Sequence, residues 1–252
     1  MNLLRPLVIA ISFLGLWQVV VWLTESPHYI LPGPPLVLDA LYIHWELIIG
    51  HASITLAEIL LGLLIGIFLG ATTALSMAHA VMIRRWLLPI LVISQAIPVF
   101  ALAPILVLWL GYGMASKVAM ASLIIFFPVT TSFHDGLRRT EQAMIDSARM
   151  LGCDGVVLLF RVRIPAALPA FASGLRVATA VAPIGAVVGE WVGSSGGLGY
   201  LMLHANARMQ IDLMFAALLT LAVMAVSLYA LSDWALRRSM PWQVGEVDKQ
   251  LN

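Results

Sequence analysis

Long apolar runs separated by short polar connections dominate the pattern of this chain. A membrane-spanning helix needs about 20 predominantly apolar residues, and six runs reach or approach that length. They are predicted as spans at residues 7–23, 52–77, 87–110, 118–133, 168–190 and 213–231. The pattern therefore predicts one all-α integral membrane domain covering residues 1–252, with six transmembrane helices.

The first run, 7–23, has a competing interpretation as a cleavable signal peptide. The residues that follow, 24–27, contain no small-x-small cleavage site, and Trp17, Gln18 and Trp22 are unusual in the core of a signal peptide. A retained first helix is the favoured interpretation.

In the second run small residues recur every four positions behind an acid. Glu58, Gly62, Gly66, Gly70 and Ala74 form one narrow stripe of a helix. Small residues at that spacing let another backbone approach closely, so the stripe is predicted to be a helix packing face. For Glu58 two interpretations stand: a functional acid inside the membrane, or an acid near the interface that caps or pairs locally.

The third run contains Pro89, Pro98 and Pro104 together with Gln95. Prolines remove backbone donors and kink a helix, which a membrane tolerates where protein or water satisfies the freed carbonyls. A kinked helix lining a translocation path is predicted, with kinks needed only for packing as the alternative. The candidate path residues, from four of the spans, are Glu58, Gln95, Pro98, Ser122 and Glu190.

The composition supports a membrane location: 61% of residues are hydrophobic, 11% are charged, and the mean hydropathy is +0.97. With six spans, both termini and the loop 137–165 lie on one side. Eleven of the fourteen Lys and Arg residues fall on that side: Arg5, Arg84, Arg85, Arg138, Arg139, Arg149, Arg161, Arg163, Arg237, Arg238 and Lys249. Because an excess of Lys and Arg in short loops marks the cytoplasmic face, the loop and both termini are predicted to be cytoplasmic.

The loop 137–165 is polar and cationic, and it contains two short helices by pattern. The apolar residues of 140–151 fall on one face of a helix, and Gly152 is expected to end that helix. Asp154 is expected to cap a second short helix over 156–160, which Ile164-Pro165 is expected to break. The result is a compact knob, either a docking surface or a purely structural loop.

The sequence contains no motif for nucleotide binding, metal binding or catalysis. The glycine-rich stretch 193–199 lacks the lysine and the preceding strand of a phosphate-binding Walker loop, so it is predicted to be a turn. The single cysteine, Cys153, excludes an internal disulfide and a cysteine-based metal cluster. The six histidines have no metal-ligand spacing, and no Ser/His/Asp grouping shares a face, which argues against a membrane enzyme. No cofactor, metal or nucleic acid is predicted.

The spacing inside the loop resembles that of a known family. The loop contains Asp146-Ser147-Ala148, then three residues, Gly152, nine residues and Val162-x-Ile164-Pro165. This spacing is similar to that of the Glu-Ala-Ala loop (EAA, x3, G, x9, I-x-L-P) of binding-protein-dependent ABC importer permeases. Residues 31–34 resemble that family's LPSP elbow, and Gly189-Glu190 with residues 197–200 resembles its outer Gly-Leu-Gly-Tyr segment. The chain is most similar to the subgroup for nitrate, sulfonates, taurine and thiamine-precursor pyrimidines.

This resemblance implies a type I importer permease fold whose loop between helices 4 and 5 is a coupling helix in the bacterial inner membrane. It implies that Asp146, Ser147, Ala148, Gly152, Val162, Ile164 and Pro165 dock cytoplasmic ABC ATPase subunits. A periplasmic solute-binding protein, a second permease copy and membrane lipid are the other implied partners. The chain itself would have no ATPase site. The competing hypothesis is an ion-gradient-coupled secondary transporter with Glu58 or Glu190 as a proton relay.

Overall fold

The computed structural model describes residues 4–243, and within that range the chain is helical and contains no strand. In chain order the helices are α1 (Leu4–Thr24), α2 (Pro34–Ile43), α3 (Trp45–His79), α4 (Val81–Ser94), α5 (Val99–Leu110), α6 (Met114–Arg138), α7 (Gln142–Met150), α8 (Gly155–Leu158), α9 (Ile164–Gly193), α10 (Leu198–Ala207) and α11 (Ile211–Ser239). A π-helical turn, Leu159–Arg163, joins α8 to α9. The all-α fold class is therefore confirmed.

Helix α6 lies between α3 and α9, and small residues set both separations. On the α3 side, a methyl group added at Gly62 would lie 2.5 Å from Cβ of Ala121, and one at Gly66 would lie 2.7 Å from Cγ2 of Ile125. On the α9 side, a methyl group at Gly185 would lie 2.7 Å from Cα of Ala121. The glycine stripe is thus a packing face, as the sequence predicts, and these three helices form the core.

The described residues contain four candidate crossings, or five if a bent helix pair counts as one span. Four stretches are long and apolar enough to cross a membrane alone: α3, α6, the stretch Gly155–Gly193 and α11. The bent pair α4 and α5 raises the count to five. The predicted first span, 7–23, falls on α1, whose 21 residues measure about 32 Å at ~1.5 Å per residue, close to the ~30 Å of a bilayer's hydrocarbon core. A sixth crossing stays a prediction.

The prediction of one kinked helix at 87–110 is wrong. The run divides into α4 and α5, whose axes differ by 102° across the break. Pro98 ends the break as the residue preceding α5, and a proline disfavours helical geometry in the residue before it. Pro89 and Pro104, in contrast, lie inside their helices. Of the three prolines, only Pro98 borders the break.

The prediction that Ile164-Pro165 breaks the helix is also wrong. The helical path continues from Gly155 to Gly193 over 39 residues, with Pro165 in the first turn of α9. A missing N–H is tolerated in a first turn, and the wider π turn just before it accommodates the change in hydrogen bonding. The second half of the loop is therefore continuous with a core helix.

Candidate functional site

The loop between α6 and α9, residues 139–163, contains a glycine-terminated helix. Gly152 has a φ of +81°, the left-handed region that favours glycine. The Gly152 N–H donates to the Arg149 carbonyl at 2.9 Å, and the Cys153 N–H donates to the Ala148 carbonyl at 3.0 Å. This pair of bonds is a Schellman motif, so the predicted end of α7 at Gly152 is confirmed.

The tip of this loop exposes apolar side chains. Met150 is 91% exposed and Leu151 is 84% exposed, and Val156, Val157 and Phe160 are exposed beside them. A methyl group at Gly152 would meet nothing within 4 Å. Contiguous exposed apolar surface marks an interaction site, so we call residues 150–160 the apolar tip and treat it as the docking candidate.

The base of the loop is fixed to the core helices. The Arg163 guanidinium donates from Nε and Nη2 to the Leu137 carbonyl at 3.2 and 2.9 Å. A cation at the C-terminal end of a helix satisfies free carbonyls and complements the helix dipole. Leu159 is buried with Leu137, Phe133 and Ala167. The base of the loop is thus attached to both α6 and α9.

The remaining loop residues singled out by sequence have varied surroundings. Asp146 accepts a hydrogen bond from Gln142 at 2.9 Å and lies 3.8 Å from Arg149. The Ser147 hydroxyl donates to the Ala143 carbonyl within α7. Val162 and Ile164 are half-buried, and Pro165 is exposed. Asp154 precedes α8 as predicted, but its side chain makes no capping hydrogen bond and lies 3.8 Å from Arg149 instead.

At the opposite end of the core, the turn between α9 and α10 closes on a buried carboxylate. The Gly199 N–H donates to Oε2 of Glu190, and the Thr55 hydroxyl donates to Oε1 of Glu190 at 2.6 Å. The Leu198 N–H donates to the Thr55 oxygen at 2.7 Å, and the Gly197 N–H donates to Nδ1 of His51 at 3.0 Å. The glycine-rich stretch is therefore a packed turn around Glu190.

Glycine is required in this turn for steric reasons. Gly197 has a φ of +106°, and a methyl group there or at Gly199 would overlap the Glu190 carboxylate. Of the three backbone N–H groups, that of Gly199 donates to the Glu190 carboxyl group, whereas those of Gly197 and Leu198 donate to His51 and Thr55. The Glu190 side chain of helix α9 thus occupies the space beside both glycines.

Glu58 lies beside this turn and pairs with a lysine. Nζ of Lys117, on α6, lies 3.6 Å from Oε1 of Glu58. Glu58 is 0% exposed, Glu190 is 1% exposed and Lys117 is 5% exposed. The acid therefore pairs with another helix and not within its own turn, contrary to the local-pairing alternative. Glu58, Lys117 and Glu190 join α3, α6 and α9, and we call them the buried triad.

The candidate path residues are not all brought together. Glu58 and Glu190 meet in the buried triad. Gln95 and Pro98 lie exposed in the break between α4 and α5. Ser122 donates to the Val118 carbonyl at 2.7 Å and borders an apolar groove of about 530 Å³ between α3, α5 and α6. Their lining of a path stays a prediction.

Sequence reasoning missed four contributing residues. Lys117 and Arg163 were used only for charge counting, and Thr55 and His51 carried no signal of their own. Thr55 stands three positions before Glu58, and residues at that spacing share a helix face. That spacing was the available clue that a hydroxyl accompanies the buried acid.

The all-helical membrane fold and the projecting loop define a transport subunit of the permease class, and comparison with known proteins agrees. Residues 62–242 match the family described as binding-protein-dependent transport system inner membrane component. The chain belongs to this family and is a permease of an ABC importer, with the multi-pass fold of type I importer permeases.

Individual relatives share most of their length with the chain. It is 58% identical to a probable ABC transporter permease protein of Haemophilus influenzae, over 96% of this chain and 99% of that protein. It is 35% identical to the formylaminopyrimidine transport permease protein of Halalkalibacterium halodurans, over 95% and 96% of the two chains. It is 30% identical to the taurine transport system permease protein of Escherichia coli, over 85% and 76%.

Proposed function

We propose that this permease is driven by cytoplasmic ABC ATPase subunits that bind the apolar tip of the loop 139–163. The single observation that carries the proposal is the exposure of Met150 and Leu151 on a loop whose base is fixed to the core. Burial of exposed apolar side chains at ~25 cal/mol per Å² favours association. A second permease copy completes the complex, and a homodimer is the form we propose.

The charge distribution supports an orientation. Cations concentrate at the end that carries the apolar tip, which supports a cytoplasmic location for that end in a bacterial inner membrane. Both termini lie on the same side if α1 crosses the bilayer. The turn around Glu190 then faces the periplasm, where a solute-binding protein delivers the substrate.

A continuous helix offers a mechanical connection between the two ends. The stretch Gly155–Gly193 measures about 58 Å at ~1.5 Å per residue. It begins beside the apolar tip and carries Glu190 in its last turn. Displacement of the tip by ATPase closure would therefore move the helix that carries the turn, a rigid-body route to alternating access.

The substrate proposed is a small polar solute. The 35% identity to the permease named for formylaminopyrimidine makes a thiamine-precursor pyrimidine the first candidate. The relative named for taurine makes a sulfonate or a nitrate-like anion the second. Both classes are to be assayed side by side.

The test is uptake by proteoliposomes that contain the full permease, its ATPase and its binding protein. Uptake of radiolabelled formylaminopyrimidine is expected only with ATP supplied on the ATPase side, and it is expected to persist with a protonophore. Taurine is the matched alternative substrate. Uptake that proceeds without ATP and stops with a protonophore would replace the proposal with ion-gradient-coupled transport by this chain.

A further inference from the structure

The buried triad has an unbalanced charge. Two carboxyl groups and one ammonium group lie in the helix core, and all three residues are at most 5% exposed. If both carboxyls were ionised, the triad would have a net charge of −1 away from water. Burying an uncompensated charge costs several kcal/mol, so the triad requires one further positive charge.

Hydrogen-bond donors show which carboxyl group is ionised. Glu190 accepts from the Thr55 hydroxyl on one oxygen and from the Gly199 N–H on the other. Donors that converge on a carboxyl group favour its charged form. Neither oxygen of Glu58 has a hydrogen-bond partner, and the Lys117 ammonium is 3.6 Å from the nearer one. Glu190 is therefore the carboxylate, and Glu58 is the acid that lacks a hydrogen-bond partner.

The two carboxyl groups are neighbours. Thr55 and Glu58 stand three positions apart on α3, both are buried, and residues at that spacing lie on the same face of a helix. Since Thr55 is bonded to Glu190, Glu58 faces the same carboxylate from one turn further along. If Glu58 is protonated, its carboxyl O–H donates a hydrogen bond to the Glu190 carboxylate.

We propose that the buried triad is a proton-binding site, in which one proton resides on Glu58, is shared with the Glu190 carboxylate, and makes the triad neutral with Lys117. The proton joins α3 to α9 by a charge-assisted hydrogen bond, beside the 3.6 Å contact between the Lys117 ammonium and Glu58 that joins α3 to α6. The turn between α9 and α10 then packs against a triad with no net charge instead of a buried net negative charge.

Other sources of the missing positive charge do not fit. No group of three or more His, Cys, Asp or Glu side chains within residues 4–243 could hold a metal ion. His51 on α3 accepts the Gly197 N–H at Nδ1, so that ring is neutral. The other ionisable groups at this end include Tyr200 and His204 on α10, Tyr112 beside Gly193, and the exposed Arg208 and Asp212 near the ends of α10 and α11. None of these supplies a buried cation.

Infrared spectroscopy of the full-length chain in lipid bilayers tests the site. At neutral pH the wild type is expected to show the C=O band of a protonated carboxylic acid, which shifts to lower frequency in D₂O. The band is expected to disappear in Glu58→Gln, whose amide keeps the shape and neutrality of the protonated acid. Asp135→Asn, which removes an exposed carboxyl group at the other end of the protein, is the matched control and is expected to keep the band.

A stability measurement gives a second readout. As pH rises, loss of the proton leaves a net charge of −1 in the triad, so the thermal stability of the wild type is expected to fall while that of Glu58→Gln stays level. Absence of the band from the wild type, or its persistence in Glu58→Gln, would overturn the site. If Glu58→Gln does not fold, disappearance of the wild-type band at high pH together with the fall in stability supports the site, and a pH-independent band or stability overturns it.

Discussion

Replacement of Gly152 by arginine tests whether the apolar tip binds the ATPase. Gly152 lies in an exposed turn with a φ of +81°, and a side chain there would meet nothing within 4 Å inside the permease. The new side chain therefore projects from the surface that the proposal assigns to the partner. Gly152→Arg is expected to insert and fold but to lose ATPase binding and uptake.

The cost to the permease itself is small. A non-glycine residue in the left-handed region costs about 1–2 kcal/mol, and domains are stable by about 5–15 kcal/mol. The strain falls on a turn whose base is fixed independently by Arg163 and Leu159. This strain is too small to unfold the permease. A loss of ATPase binding by Gly152→Arg would therefore be caused by the new side chain and not by unfolding.

The assay is co-purification of the ATPase with a tagged permease, with membrane insertion measured in parallel. Gly111→Arg is the matched control, because Gly111 has a φ of +82°, open space around it and a place at the opposite end of the core. Its ψ of 177° makes the strain at least as large as at Gly152. Gly152→Asn, which tolerates the left-handed region, is expected to retain binding. Normal ATPase recovery and uptake with Gly152→Arg would refute the docking surface.

Two further substitutions test the contacts that hold the ends of the core. Arg163→Met removes charged hydrogen bonds to the Leu137 carbonyl worth about 1.5–3 kcal/mol each, so proteolysis within residues 139–163 is expected to accelerate at least ~tenfold. The exposed Arg161→Met is the control, and equal rates for both variants would contradict the anchoring role. Thr55→Val removes a donor to Glu190 and leaves the Leu198 N–H without its acceptor, at about 1–3 kcal/mol. The melting temperature is expected to fall, whereas Thr55→Ser should retain it; an unchanged melting temperature in Thr55→Val would show that the turn does not depend on this hydroxyl.

Much of the fold follows from local periodicity. The stripe headed by Glu58, with small residues at every fourth position, predicted a packing face because glycine permits close helix contact wherever the partner helix lies. The contacts of Gly62 and Gly66 confirm it. The end of α7 at Gly152 was predictable for a similar reason, since a Schellman motif depends on one glycine and its immediate neighbours.

Features that depend on contacts between distant segments were not predictable in this way. Three prolines in 87–110 are chemically alike, yet only Pro98 borders a break, whereas Pro89 and Pro104 stay inside their helices. The continuity of helix across Pro165 depends on a π turn that no periodicity indicates. The partner of Glu58 is 59 positions away in sequence, on a different helix.

The buried triad also changes the charge count that predicts orientation. Lys117 is one of the three cations that the sequence count leaves outside the predicted cytoplasmic side, but it is 5% exposed and lies beside Glu58. A lysine buried beside an acid contributes little to the positive-inside rule, which concerns charges in loops. Arg176, within α9, likewise pairs with Asp233 at 2.7 Å. Among residues 4–243, Arg208 then remains as the one loop cation opposite the apolar tip. The structure thus makes the predicted charge asymmetry larger, which supports the proposed cytoplasmic location of the apolar tip.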